Sequence, residues 1–184
     1  MSLLKEFLLL LIYASFFFMI IGEALSADGA NPCDISAALL ADPQRQSAPV
    51  DFIDIDGKKV IEVCTKAIEL DPQNAGRYLL QRARGHLRLG DTEKSLSDLS
   101  LSKEQNYPAA FFGLGVSFLL GDIVKADHRE ASFLLSTAYE KGVFWAANAL
   151  AQLHADENSE YYNLEKSEVW AQTFILEKRA ASQK

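Results

Sequence analysis

Three histidines, two cysteines and one row of basic side chains are the residues with chemistry to offer, and their spacing decides what kind. His86, His128 and His154 fall in three separate segments. The acidic residues beside the last two, Asp127 and Asp156, are one or two positions away, where a helix sends side chains in divergent directions. No serine sits in a G-x-S-x-G elbow. Asp54-Ile55-Asp56-Gly57 superficially suggests a calcium loop, yet aligning its glycine puts Phe52 at the first ligand position and Val63 where the terminal glutamate belongs. The sequence therefore predicts no catalytic residue, no metal and no cofactor. Arg77, Gln81, Arg84 and Arg88 are different: their i, i+4, i+7, i+11 spacing lays a basic, hydrogen-bonding stripe along one helix face of an acidic protein. Such a stripe suits charge-assisted bonds to an acidic peptide or a C-terminal carboxylate, and it equally suits a solvated face paired with neighbouring glutamates.

Cys33 and Cys64 are the only cysteines, with no further soft ligands for zinc and no C-x-x-C pair. The N-terminus decides their compartment. Residues 1–27 read as an export signal: Lys5, an apolar run from Phe7 to Ile21, then Ala24 and Ser26 as the small residues cleavage requires. That run is 15 residues, shorter than the roughly 20 that cross a bilayer as a helix; an uncleaved anchor is the competing reading. Export places the thiols in an oxidising compartment, periplasm or medium, where an intramolecular disulfide is the expectation and two separate thiols the alternative.

A formal charge of −7, 49% hydrophobic and 23% charged residues suit one small globular domain. With no large Lys/Arg cluster, the electrostatic footprint of a nucleic-acid binder is missing. Residues 28–57 are the least regular stretch, with a short helix at Asp34 to Ala41 interrupted by Pro43 and Pro49. Helical periodicity is firm across 58–180, and 181–184 form a tail without reason to be ordered. Val60, Cys64, Ala67 and Ile68 share a face of a helix that stops before Pro72. Asn74 is placed to cap the next helix, Ala75 to Leu89, and Thr92 to Lys103 follows. Pro108 to Gly142 reads as a complete helix hairpin, with Asp127 and Glu130 forming a capping box and Gly142 at a left-handed stop. A helix from Val143 to His154 precedes a last one, Leu164 to Ala180, whose Val169, Trp170, Thr173, Phe174 and Leu176 are expected to face inward.

The phrase AIELDPQNA at 67–75, followed by Tyr78, Ala83, Leu89-Gly90 and Leu96, resembles the tetratricopeptide repeat. Ala110, Leu114-Gly115, Phe118, Gly121, Asp127, Ala131, Ala138, Gly142, Ala146 and Leu150 are similar to the Sel-one-like variant of that architecture. The resemblance covers about Val60 to Leu153, and Ser95, Ser97, Ser100 and Ser102 depart from it where a packed helix more often carries alanine. It implies an all-α fold, a short right-handed solenoid of antiparallel helix hairpins behind a signal peptide, of the exported bacterial type. It further implies a monomeric interaction module that binds a protein partner through the inner faces of its first helices, without nucleic acid and without membrane after signal cleavage. The candidates on those faces are Arg77, Gln81, Arg84 and Arg88, then Phe112, then Trp145, Asn148 and Gln152; the two aromatics serve either as anchors or as core between repeats. Adaptor or regulator of an envelope signalling protein is the role the resemblance suggests, with a secreted effector or a cell-wall-related hydrolase as alternatives.

Overall fold

The computed structural model describes residues 30–183. The expected export signal at 1–27 lies outside the described residues. Every regular element described is helical: α1 (Pro32–Ala37), α2 (Gly57–Leu70), α3 (Ala75–Arg88), α4 (Thr92–Glu104), α5 (Pro108–Leu120), α6 (His128–Glu140), α7 (Trp145–Ala155) and α8 (Leu164–Ala181), with short 3-10 turns at Phe52–Asp54 and Pro72–Asn74.

Local chemistry sets most of these ends. Asn31 Oδ1 accepts from the Cys33 amide while Pro32 opens α1 with the φ a first turn needs. Asp56, half of the apparent calcium loop, spends its carboxylate on the Lys59 amide as the cap of α2. Asp91 and Asn163 cap α4 and α8 in the same way. The Asp127 carboxylate accepts from both Arg129 and Glu130 at the start of α6. Asn74 does not cap α3 as its position suggested: it lies in the 3-10 turn, and its side-chain amide donates to Asp71 instead. Gly121 at φ 68° ends α5, and Gly142 at φ 90° follows α6, both in the left-handed region where a Cβ is costly.

Consecutive helices pack in neighbouring pairs, α2 on α3, α3 on α4, α5 on α6 and α7 on α8. Small residues allow the approach: a Cβ on Gly115 of α5 would lie 2.8 Å from Leu135 Cγ of α6. Leu134 and Leu135 are fully buried beside it, each contributing roughly 1.5–3 kcal/mol by leaving water. α4 carries serines where alanines were expected, and two of them are buried; Ser102 Oγ donates to the Gly76 carbonyl at 2.5 Å.

The last helix differs from expectation. Val169 and Leu176 are 60% and 62% exposed, and α8 contributes no fully buried residue. What faces the body is the row Trp170, Thr173, Phe174 and Glu177, at i, i+3, i+4 and i+7. Trp170 meets Tyr139 edge-on at 5.1 Å, and the Tyr139 hydroxyl donates to Glu177 at 2.7 Å. A carboxylate with a phenol to accept from has taken the inward place that periodicity alone gave to leucine. The helix also runs to Ala181, one residue past its expected end.

Candidate functional site

The arginine stripe of α3 is where the chain's own N-terminal segment lies. Residues 31–50 form a strap across this helix, held first by side-chain chemistry and then by its backbone. Arg77 makes a two-pronged ion pair with Asp34, Nε to Oδ1 at 2.8 Å and Nη2 to Oδ2 at 3.3 Å. Gln81 is fully buried and donates to the same carboxylate at 2.9 Å. Arg84 donates from Nη1 to the carbonyls of Ala37 and Ala38 and from Nη2 to that of Val50, each at 2.8 Å. Arg88, with an exposed head, reaches the Ile53 carbonyl at 3.4 Å. All four stripe residues therefore bond within the chain, Arg88 only at 3.4 Å and from an exposed head, and Arg77 pairs with an aspartate of the strap rather than with helix glutamates.

The strap is anchored at both ends. Cys33 is disulfide-bonded to Cys64 of α2, and both are fully buried. Farther on, Ala41 packs among Leu135, Ala146 and Leu150, and Asp42, also fully buried, accepts from the Tyr107 hydroxyl at 2.5 Å and from the Gln44 amide at 2.8 Å. Burial raises the Asp42 carboxyl above its ordinary value, against the lowering effect of those two bonds. Burial likewise raises the Tyr107 phenol, with the Asp42 charge adding to it. Burial also lowers Arg84, to about 10, opposed by Asp51; at neutral pH it remains a cation.

A pH signature follows from Asp42. With its folded value above the ordinary 3.8, the folded state holds a proton that the unfolded state has released, so this group's contribution to stability falls as pH rises through the window above 3.8. The difference in unfolding free energy between wild type and Asp42→Asn is therefore expected to shift in the variant's favour across that window. Denaturant unfolding of both proteins from acid to neutral pH measures it; a constant difference would show that Asp42 ionises as freely folded as unfolded.

At the edge of the strap a cleft of about 240 Å³ opens between α3, α4 and α5. It brings Arg84 and Phe112 together. The other candidates lie elsewhere. Trp145 is half-buried, its ring 5.1 Å from that of Phe174 with the Lys178 ammonium 5.7 Å away, so it serves as packing between α7 and α8. Asn148 is half-buried and Gln152 exposed on α7.

Four polar pairings were hidden from the sequence. Arg82 clamps the buried Asp98 of α4 at 2.8 and 2.7 Å and donates to Thr65 of α2 at 3.1 Å, tying three helices. His86 Nε2 is 3.7 Å from the same carboxylate, and burial lowers its pKa despite that charge. His128 meets Asp156 at 3.7 Å across two elements, and His154 Nδ1 lies 2.6 Å from the Tyr161 carbonyl. Arg82 to Asp98 is the one of these that side-chain type could have signalled, since an aspartate amid buried serines calls for a cation.

Comparison of the chain with protein-family models, with curated proteins and with solved structures finds no match.

Proposed function

We propose that this chain is an exported helical-repeat adaptor of the tetratricopeptide/Sel-one-like type, a short right-handed solenoid that binds another protein in the periplasm or outside the cell. One observation carries the reading: the α3 face already grips another segment of chain by its backbone carbonyls, at the C-terminal end of α1 and at Val50, through Arg84. Carbonyl recognition by a helix-borne guanidinium is a peptide-holding chemistry that does not depend on the side chains held. The buried Cys33–Cys64 bond is in keeping with an oxidising compartment. Because the strap occupies the α3 portion, the partner's share of the surface is the α7 portion, with Asn148 and Gln152, together with the exposed Arg88. The protein acts without cofactor and as a monomer, and an envelope signalling protein is the class of partner the reading favours.

Crosslinking in the native compartment, followed by affinity capture and mass spectrometry, tests it. Wild type is expected to recover one envelope protein, and Asn148→Arg with Gln152→Arg to lose it while keeping its helicity. Recovery of the same protein by the double variant would remove α7 from the interface, and recovery of nothing specific by wild type would end the adaptor reading.

A further inference from the structure

The cleft beside the strap has mostly apolar walls and one cation, Arg84, in its lining. Leu39, Leu80, Leu87, Leu99, Phe112 and Val116 line it. Among these apolar walls stand Arg84 and Ser95. No carboxylate pairs with Arg84 among the described residues: its hydrogen bonds go to three backbone carbonyls, which bear no net charge. Asp122, the acidic residue of the lining, is exposed and accepts from the Ile123 amide. Ser95 is 1% exposed, and its hydroxyl is the one buried side-chain polar atom without a hydrogen-bond partner among the described residues. Ser117, in the same lining, is satisfied by the Gly113 carbonyl at 3.0 Å.

An apolar cleft, a cation whose hydrogen bonds go only to backbone carbonyls and an orphaned hydroxyl define the ligand between them. We propose that the cleft holds a medium-chain aliphatic monocarboxylate, its tail among the leucines and Phe112, its carboxylate against Arg84, and the Ser95 hydroxyl offering one hydrogen bond. The single cation calls for a single negative charge. An extended peptide is a poor occupant, because each of its residues would bring an N–H and a C=O that leucine walls leave unsatisfied. At roughly 30 Å³ per water-sized group, the cleft's 240 Å³ takes about eight such groups, the size range of a medium-chain acid, for which octanoate is the probe. The proposal stands apart from the adaptor reading, since the α7 surface invoked there contributes nothing to this cleft.

Calorimetric titration of the protein, purified with its disulfide intact, decides it. Octanoate below its micellar concentration is expected to bind saturably with one site per chain, and 1-octanol at least tenfold more weakly. Val116→Phe, which fills the cleft without touching the strap's hydrogen bonds, is expected to abolish binding with the melting temperature unchanged or higher. Ser95→Ala is expected to weaken binding several-fold while leaving stability intact, because it removes a buried hydroxyl that bonds to nothing in the fold. Equal affinity for octanoate and octanol, wild-type affinity in Val116→Phe, or no saturable binding would each overturn the proposal. So would tighter competition by a short apolar peptide with a free C-terminus, which would transfer the cleft to a protein ligand.

Discussion

Arg84→Met is expected to destabilise the protein by about 3 to 5 kcal/mol, the loss expected when a charged donor is removed from three partly buried carbonyls. The Arg84 guanidinium satisfies three backbone carbonyls of the strap. A hydrogen bond from a charged donor contributes roughly 1.5–3 kcal/mol, and the sum is reduced because a released strap regains water. Methionine matches the length of the stem, so the loss belongs to the head group. The damage should also be local: Arg45 is exposed within the strap, and trypsin is expected to cleave after it faster in the variant than in wild type. Urea unfolding and timed proteolysis measure the two effects. Wild-type stability together with a wild-type cleavage rate would mean that the strap is held without Arg84.

Removing the disulfide by Cys33→Ala with Cys64→Ala is expected to cost about 3 to 4 kcal/mol in the chain-entropy account, given a sequence separation of 31 residues. The expected readout is a lower urea midpoint, matched in wild type when reductant is added. Since Arg84 and the disulfide restrain the same segment, combining Arg84→Met with both cysteine changes should not be additive. Loss of the bond without any shift in midpoint would show that the ion pair of Arg77 with Asp34 and the Asp42–Tyr107 bond hold the strap unaided.

Much of the fold was written where local rules govern. The helix from Ala75 stops at Arg88, one residue before its expected end, because Gly90 at φ 77° and Asp91 turn the chain there. Cys33 and Cys64 pair as export predicted. The strap's role was not legible for a specific reason. Its strongest attachments to Arg84 are made by the carbonyls of Ala37, Ala38 and Val50, and every residue type carries a carbonyl. Asp34 was the available sign, an acid with no basic neighbour in the sequence until folding sets it against Arg77. Spacing placed Arg77, Gln81, Arg84 and Arg88 correctly on one face, but spacing on a helix says nothing about what the rest of the chain lays over it. The same limit explains α8, where Tyr139 on α6 draws Glu177 inward and the exposed leucine that results has no signature within the helix itself.

The strap also sets an order of events. It belongs to the part of the described chain that is made first, yet its anchors come later: Gln81 and Arg84, then Tyr107, 65 positions beyond Asp42. Until those residues emerge, the leading segment has nothing to settle on and Cys33 waits as an unpaired thiol for Cys64. The strap is thus fastened only by residues made after it, so the stretch up to Cys64 sets the interval in which a wrong thiol partner can be found, and the stretch up to Tyr107 the interval in which the strap lacks its seat.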